Sequence, residues 1–137
     1  MRPKLFTLSD DDVDNFRTAV IKWADLFGLT DWNIEVYVSP KLNATAECES
    51  NHETRLAKIR VARKFRLEPT VAFVESVAAH EVFHLLLADL THVAIDRNFG
   101  QDAREAAVRL AEESATVRFE NFIRNYYLPI ESKLGKS

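Results

Sequence analysis

The stretch that decides the fold is residues 71–90, which read VAFVESVAAHEVFHLLLADL. It contains neither proline nor glycine, and apolar residues lie on nearly every side of its helical projection. Such a helix is typical of a protein core, so we predict a buried helix over 69–90. His80, Glu81 and His84 are polar exceptions in its middle, and they need a physical reason to be there.

On the N-terminal side, one amphipathic helix and a small sheet are predicted. Ser9 before three aspartates, apolar residues at helical spacing and Gly28 after the last of them predict a helix over 9–27. Alternation of apolar and polar residues then predicts three short strands of one sheet. These strands are expected at 33–38, 44–49 and 55–63.

On the C-terminal side, a loop is predicted over 91–100 and a last helix from about residue 102 to residue 127. Pro129 is expected to stop that helix. The order of helix, three strands, helix and helix predicts an α+β fold. The length of 137 residues predicts a single domain over 1–137.

His80-Glu81-Val82-Phe83-His84 is an HExxH sequence on the predicted buried helix. Residues i and i+4 share one helical face, so the two imidazoles can converge on one zinc ion. Glu81 is rotated away from His80, which places its carboxylate beside the ion rather than on it. The pattern predicts zinc ligation by His80 and His84, with Glu81 as the general base.

A catalytic zinc site needs a third protein ligand, and the chain has a single cysteine, Cys48, so a four-cysteine site is excluded. His52 lies in a polar loop, and His92 follows His84 by eight residues. Both are read as surface histidines. A glutamate on the last helix is the better candidate.

Glu112 and Glu113 are adjacent on that helix, and we favour Glu113 as the ligand. It shares a face with a stripe that we predict to point inward. The stripe consists of Ala106, Leu110, Val117 and Asn121. Glu112 would then lie near the metal ligands or at the surface, and Glu105 and Glu120 are expected to be exposed.

An HExxH helix followed by a helix with a ligand glutamate resembles the gluzincins. The segments 32–36, 79–87 and 113–120 are similar to short metallopeptidase-like proteins encoded by bacteriophages. That resemblance implies a minimal zincin fold, a zinc ion on His80, His84 and Glu113, and catalysis by Glu81. The ImmA/IrrE-like peptidases also pair HExxH with a downstream glutamate. By that second resemblance, Glu112 stays an alternative to Glu113 as the third ligand.

These features predict a zinc peptidase that acts on a peptide or protein. By analogy with the zincins, the predicted strand at 44–49 or the one at 55–63 would lie at the sheet edge and pair with the extended substrate. Two alternatives stay open: a non-catalytic binding module braced by zinc, and an ImmA/IrrE-like regulatory protease with one partner protein. Tyr126 or Tyr127 would stabilise the oxyanion or simply pack.

A cytoplasmic location is expected, which is the host cytoplasm for a phage-encoded protein. No membrane association is predicted, and the oligomeric state stays open.

The basic segment 55–66 is read as the solvated face of a strand. Its one aromatic residue, Phe65, lies near its end and gives no interleaving for base stacking, and the net charge of −3 argues neither for nor against any partner. Nucleic acid is therefore not expected as a partner.

Overall fold

The computed structural model describes residues 4–96 and 102–134. It is a mixed α+β structure, as predicted, with a three-stranded sheet and a second sheet of two very short strands. In chain order its elements are β1 (Phe6–Thr7), α1 (Asp10–Leu26), β2 (Asn33–Ser39), β3 (Ala46–Asn51), β4 (Leu56–Ala62), β5 (Lys64–Phe65), α2 (Val71–Asp96), α3 (Asp102–Phe122), a π-helical segment (Ile123–Tyr127) and α4 (Leu128–Leu134).

Helix α1 forms where its caps predict it. Ser9 and Asp12 make a capping box, in which each side chain accepts a hydrogen bond from the backbone N–H of the other residue. Phe16 and Trp23 lie on its buried stripe and belong to the core cluster that also includes residues of β4 and α2. Gly28 follows the helix with φ +69°, a conformation that glycine adopts without strain.

The larger sheet has the order β2-β4-β3, so β4 is central and the other two strands form its edges. The expectation that the strand at 55–63 could be an edge strand beside the cleft is therefore wrong, because both of its edges are paired. β2 runs parallel to β4, and β3 runs antiparallel to it. Side chains of β4 that face the helices, such as Ile59 and Val61, are fully buried. The three predicted strands are therefore confirmed, although β3 lies two residues further along the chain than expected.

The opposite face of this sheet carries charged side chains that neutralise one another. Arg60 on β4 donates to Glu47 and Glu49 on β3, at 3.1 and 3.0 Å. Arg55, in the turn before β4, pairs with Asp31 and Asp89. These two arginines of the basic segment thus have carboxylate partners within the chain.

Helix α2 crosses the core and is longer than predicted. It begins after Thr70, whose hydroxyl accepts a hydrogen bond from the Phe73 N–H at 3.1 Å. The predicted loop over 91–100 is wrong for residues 91–96, which are helical, and its remainder lies outside the described residues. No proline or glycine interrupts 91–96, so nothing local ends the helix at Leu90.

The length and composition of residues 71–94 would also allow a membrane-crossing helix, with a mean hydropathy of 1.5. Core helices of water-soluble proteins have the same length and composition, and 44% of this apolar stretch is buried in the structure. α2 packs against α1, α3 and β3. This packing gives its buried apolar residues partners within the protein, whereas Val71, Leu90 and Val93 near its ends are exposed.

The last helix continues past its predicted end, because Pro129 lies in the first turn of α4 and is tolerated there. The backbone N–H of Leu128 bonds to the carbonyl of Ile123, a π-type turn. Ile123 and Leu128 are both buried. Lys22 on α1 ties this end of the chain to the core, since it donates to Glu131 at 2.5 and 2.8 Å and also to Glu75.

The predicted inward stripe of α3 is wrong. Ala106, Leu110, Val117 and Asn121 are exposed, and Leu110 is 72% exposed. The face that packs against α2 is polar instead. It carries Glu112, Thr116 and Glu120, with Phe119 beside them.

Candidate metal centre

His80 and His84 lie one turn apart on α2, with ring centroids 5.0 Å apart. Ligand atoms of His80, Glu81 and His84 all lie within 4.8 Å of one another, so this group could hold a metal ion. The helix places the three side chains together because its other faces are anchored in the core. Val82, between them, is fully buried, and Leu85 is 1% exposed.

The two Nε2 atoms point toward one carboxylate, that of Glu113 on α3. Glu113 Oε1 lies 3.4 Å from His80 Nε2, and Oε2 lies 3.0 Å from His84 Nε2. Neighbouring donors of a tetrahedral zinc site with bonds of about 2.0–2.1 Å are about 3.3 Å apart. The two separations in this structure bracket that value, and Glu113 lies beside the group of His80, Glu81 and His84 that could hold a metal ion.

The two Nδ1 atoms point to different carboxylates, which fix the orientation of the rings. His80 Nδ1 lies 2.6 Å from Glu120 Oε2, and His84 Nδ1 lies 3.0 Å from Glu112 Oε1. A carboxylate only accepts, so each Nδ1 must carry the hydrogen. In the neutral ring the Nε2 lone pair is then free for a metal, the arrangement that ligand histidines usually have.

Thr116 lies between these two glutamates on the buried face of α3. Its side chain is fully buried, and its hydroxyl donates to the Glu112 carbonyl at 2.7 Å. A side chain of this size allows α3 to approach α2 closely. Glu112 and Glu120 can therefore reach the histidines while their own side chains stay only 14% and 18% exposed.

The electrostatics of the cluster are dominated by burial and by its carboxylates. Burial raises the pKa of Glu81 to about 7, an effect that the two histidines reduce and that Glu113 and Glu120 add to. For His80, burial alone lowers the pKa, but the hydrogen bond to Glu120 and the charges of three glutamates outweigh it, and the pKa is raised. A metal must displace that proton, so binding would weaken at lower pH.

The cluster opens into a cleft of about 900 Å³ between β3 and the α2–α3 pair. Cys48 on β3 lines the cleft, and burial raises the pKa of its thiol to about 12, with smaller contributions from Glu81, Glu112 and Glu49. β3 pairs with β4 alone among the described strands, so its other edge is open. The cleft thus has room for a ligand beside the histidines.

The remaining histidines lie at the far end of the cleft. His52 and His92 stack in parallel with centroids 4.1 Å apart, and His52 Nδ1 lies 2.9 Å from Asp89 Oδ1. His92 is eight residues, or about 12 Å of helix, beyond His84. Neither histidine belongs to the metal-holding group that the described residues form.

Neither of the tyrosines considered for oxyanion stabilisation lines the cleft. Tyr127 packs against Trp23 with centroids 5.2 Å apart, and Tyr126 stacks on Phe122 with 62% of its surface exposed. Their role in this structure is therefore packing. Glu105 is partly exposed and pairs with Arg109, as a surface residue would.

The prediction that Glu120 is exposed is wrong, since its carboxylate bonds to His80. Glu112, Thr116 and Glu120 repeat at a spacing of four, as do His80 and His84. Polar residues at the same spacing on two helices are the sequence signal that these faces contact each other. The apolar residues of α3 predict a different contact face, which is why this signal was missed. No protein-family model, curated protein or solved structure matches this chain.

Proposed function

We propose that this protein is a zinc-dependent peptidase in which His80, His84 and Glu113 hold the ion. One observation carries the proposal: both Nε2 atoms face a single carboxylate, while both Nδ1 atoms are bonded by others. A chance HExxH sequence gives no reason for the second pair of contacts. When bound, zinc supplies Lewis acidity to a peptide carbonyl and lowers the pKa of a bound water.

Glu81 is the general base of the proposed reaction. In the metal-free protein burial raises its pKa to about 7, and a bound cation would favour the ionised form that takes a proton from the attacking water and later gives it to the leaving amine. Its side chain is held in a buried position, 5% exposed, at the edge of the cleft. Burial excludes bulk water and keeps the carboxylate in place beside the histidines.

Glu112 and Glu120 position the metal ligands. By accepting from Nδ1, each keeps its ring in the tautomer that presents Nε2 to the ion. Carboxylate partners of this kind strengthen the metal binding of the histidines that they accept from. With Glu81 as the base, these two roles account for the three carboxylates of the α2–α3 contact that are mostly buried: Glu81, Glu112 and Glu120.

The open edge of β3 is the proposed binding place for the substrate backbone. An extended peptide can add to such an edge through main-chain hydrogen bonds, and the small side chains of Ala46 and Cys48 leave space beside the strand. Recognition through backbone atoms indicates a peptide or an unfolded segment of a protein. A regulatory protease of the ImmA/IrrE-like kind would use the same edge for one partner.

A zinc-braced module without catalysis would need a fourth protein ligand in place of water. His92, the next histidine along α2, stacks on His52 rather than on the cluster of His80, Glu81 and His84. The buried carboxylate of Glu81 also has no use in such a module. The catalytic proposal is therefore the one that the geometry favours.

The test is cleavage of a peptide library by protein loaded with one zinc per chain, read by mass spectrometry. We expect cleavage by the parent, loss by at least about 100-fold in Glu81→Gln with zinc retained, and no change in the surface control Glu105→Gln. Equal cleavage by parent and Glu81→Gln would refute the general-base role. Cleavage by neither, with zinc bound in both, would favour the braced module.

A further inference from the structure

A second groove, of about 490 Å³, lies between α1 and β2, at the edge of the sheet away from the metal centre. Its apolar lining comes from both elements and the segment that joins them: Val20, Ala24, Leu29, Trp32, Ile34 and Val36. Among the described strands β2 pairs with β4 alone, so the outer edge of this seven-residue strand is open. Open edges of this length are places where another strand adds.

The sequence of β2 is complementary to itself about Val36. In an antiparallel pair of two copies centred on that residue, Glu35 lies opposite Tyr37 of the second copy. Within one chain the Tyr37 hydroxyl already donates to Glu35, so the two groups are chemically matched. On the other face of the strand, Val36 meets itself, and Ile34 meets Val38.

Other registers that keep the faces matched are worse. A pair centred on Glu35 sets that carboxylate directly against its own copy, and like charges opposite each other destabilise a sheet. A pair centred on Tyr37 leaves Glu35 opposite Ser39, without its hydroxyl partner. The register centred on Val36 is therefore preferred.

The exposed face of α1 beside this strand has the same symmetry. Arg17, Ile21 and Asp25 recur every four residues and line the groove, and Ile21 is 62% exposed. When two copies of α1 pack antiparallel about Ile21, each Arg17 lies opposite Asp25 of the second copy. A two-fold axis therefore suits both the helix face and the strand.

We propose that this face is the interface of a homodimer, in which two β2 strands pair antiparallel and the two α1 helices pack side by side. The result is a continuous six-stranded sheet with an isologous, closed interface, the commonest symmetry of soluble oligomers. The metal centre is bordered by β3, the opposite edge strand, so both clefts stay open in the dimer. The proposal does not depend on zinc or on catalysis.

The test is a charge swap read by sedimentation equilibrium at roughly 1–100 µM, where weak homodimers dissociate. We expect the parent to dimerise, and Arg17→Asp and Asp25→Arg each to weaken the dimer by at least about 10-fold, because each sets two like-charged pairs across the interface. The double variant Arg17→Asp/Asp25→Arg restores both pairs and should restore the dimer. Asn15→Arg, exposed on the same helix outside the groove, is the matched control and should change nothing.

Circular dichroism of each variant checks that the fold is retained. A parent that is monomeric throughout this range overturns the proposal. So does a dimer that neither single substitution weakens, because it would have to form through another face. Single variants that dissociate without restoration in the double variant would also overturn it, since the pairing of Arg17 with Asp25 would then be absent.

Discussion

Replacing Glu81 by glutamine should stabilise the metal-free protein at alkaline pH. Burial raises the pKa of Glu81 from 4.5 to about 7, so the folded protein holds this proton more tightly than the unfolded chain does. Ionising the carboxyl in the folded state therefore costs stability. That cost is absent well below pH 4.5, grows between pH 4.5 and 7, and is complete above pH 7.

A rise from 4.5 to about 7 corresponds to about 3 kcal/mol, and the side chain is too well buried for solvent to screen much of it. Glutamine has nearly the same shape and does not ionise. We expect metal-free Glu81→Gln to be about 1–3 kcal/mol more stable than the parent at pH 8.5, and within about 0.5 kcal/mol of it at pH 4.5.

The assay is urea unfolding with a chelator present, at both pH values, with Glu105→Gln as the exposed control. The midpoint should rise in Glu81→Gln at pH 8.5 without a change in the m-value. Added zinc should reduce the difference, because a nearby cation favours the ionised carboxylate of the parent. A variant no more stable than the parent at pH 8.5 would contradict the burial of an ionisable base in this site.

Three further results are expected. Glu113→Ala should weaken zinc binding more than Glu112→Ala in a competition titration with a chelator, because Glu113 faces both Nε2 atoms; the reverse order would move the ligand by one residue. Glu120→Ala should lower zinc affinity by about 10–100-fold while the surface change Glu105→Ala leaves it unaltered, and equal affinities would remove Glu120 from the site. Native, metal-free Cys48 should be alkylated at pH 8 about 1000-fold more slowly than in the unfolded chain, because its pKa of about 12 leaves little thiolate; rapid modification would show that the thiol is not buried as described.

The parts of the fold that could be predicted are those with local signals. Ser9 and Gly28 mark the ends of α1 through capping and backbone conformation, which depend on a few neighbouring residues. The HExxH helix was predictable from its uniform apolar character. The parallel pairing of β2 with β4 was not, because strand order depends on contacts between distant segments.

The candidate site was predicted in part, and its errors share one cause. We assumed that α3 packs with an apolar face, whereas it packs with Glu112 and Glu120 against the two histidines. A polar cluster can replace apolar packing when its members satisfy one another. Glu113 shares a face with Leu110, but Leu110 is exposed, so that shared face does not support Glu113 as the ligand. The structure supplies a different reason, its position opposite both Nε2 atoms.

The most direct test of the central claim is the zinc content of the purified protein, measured by elemental analysis beside His84→Ala. The account predicts about one zinc per chain in the parent and its loss in the variant, because two of the three proposed protein ligands cannot hold the ion alone. A folded parent that contains no metal after equilibration with zinc, or a variant that keeps its zinc, would contradict it.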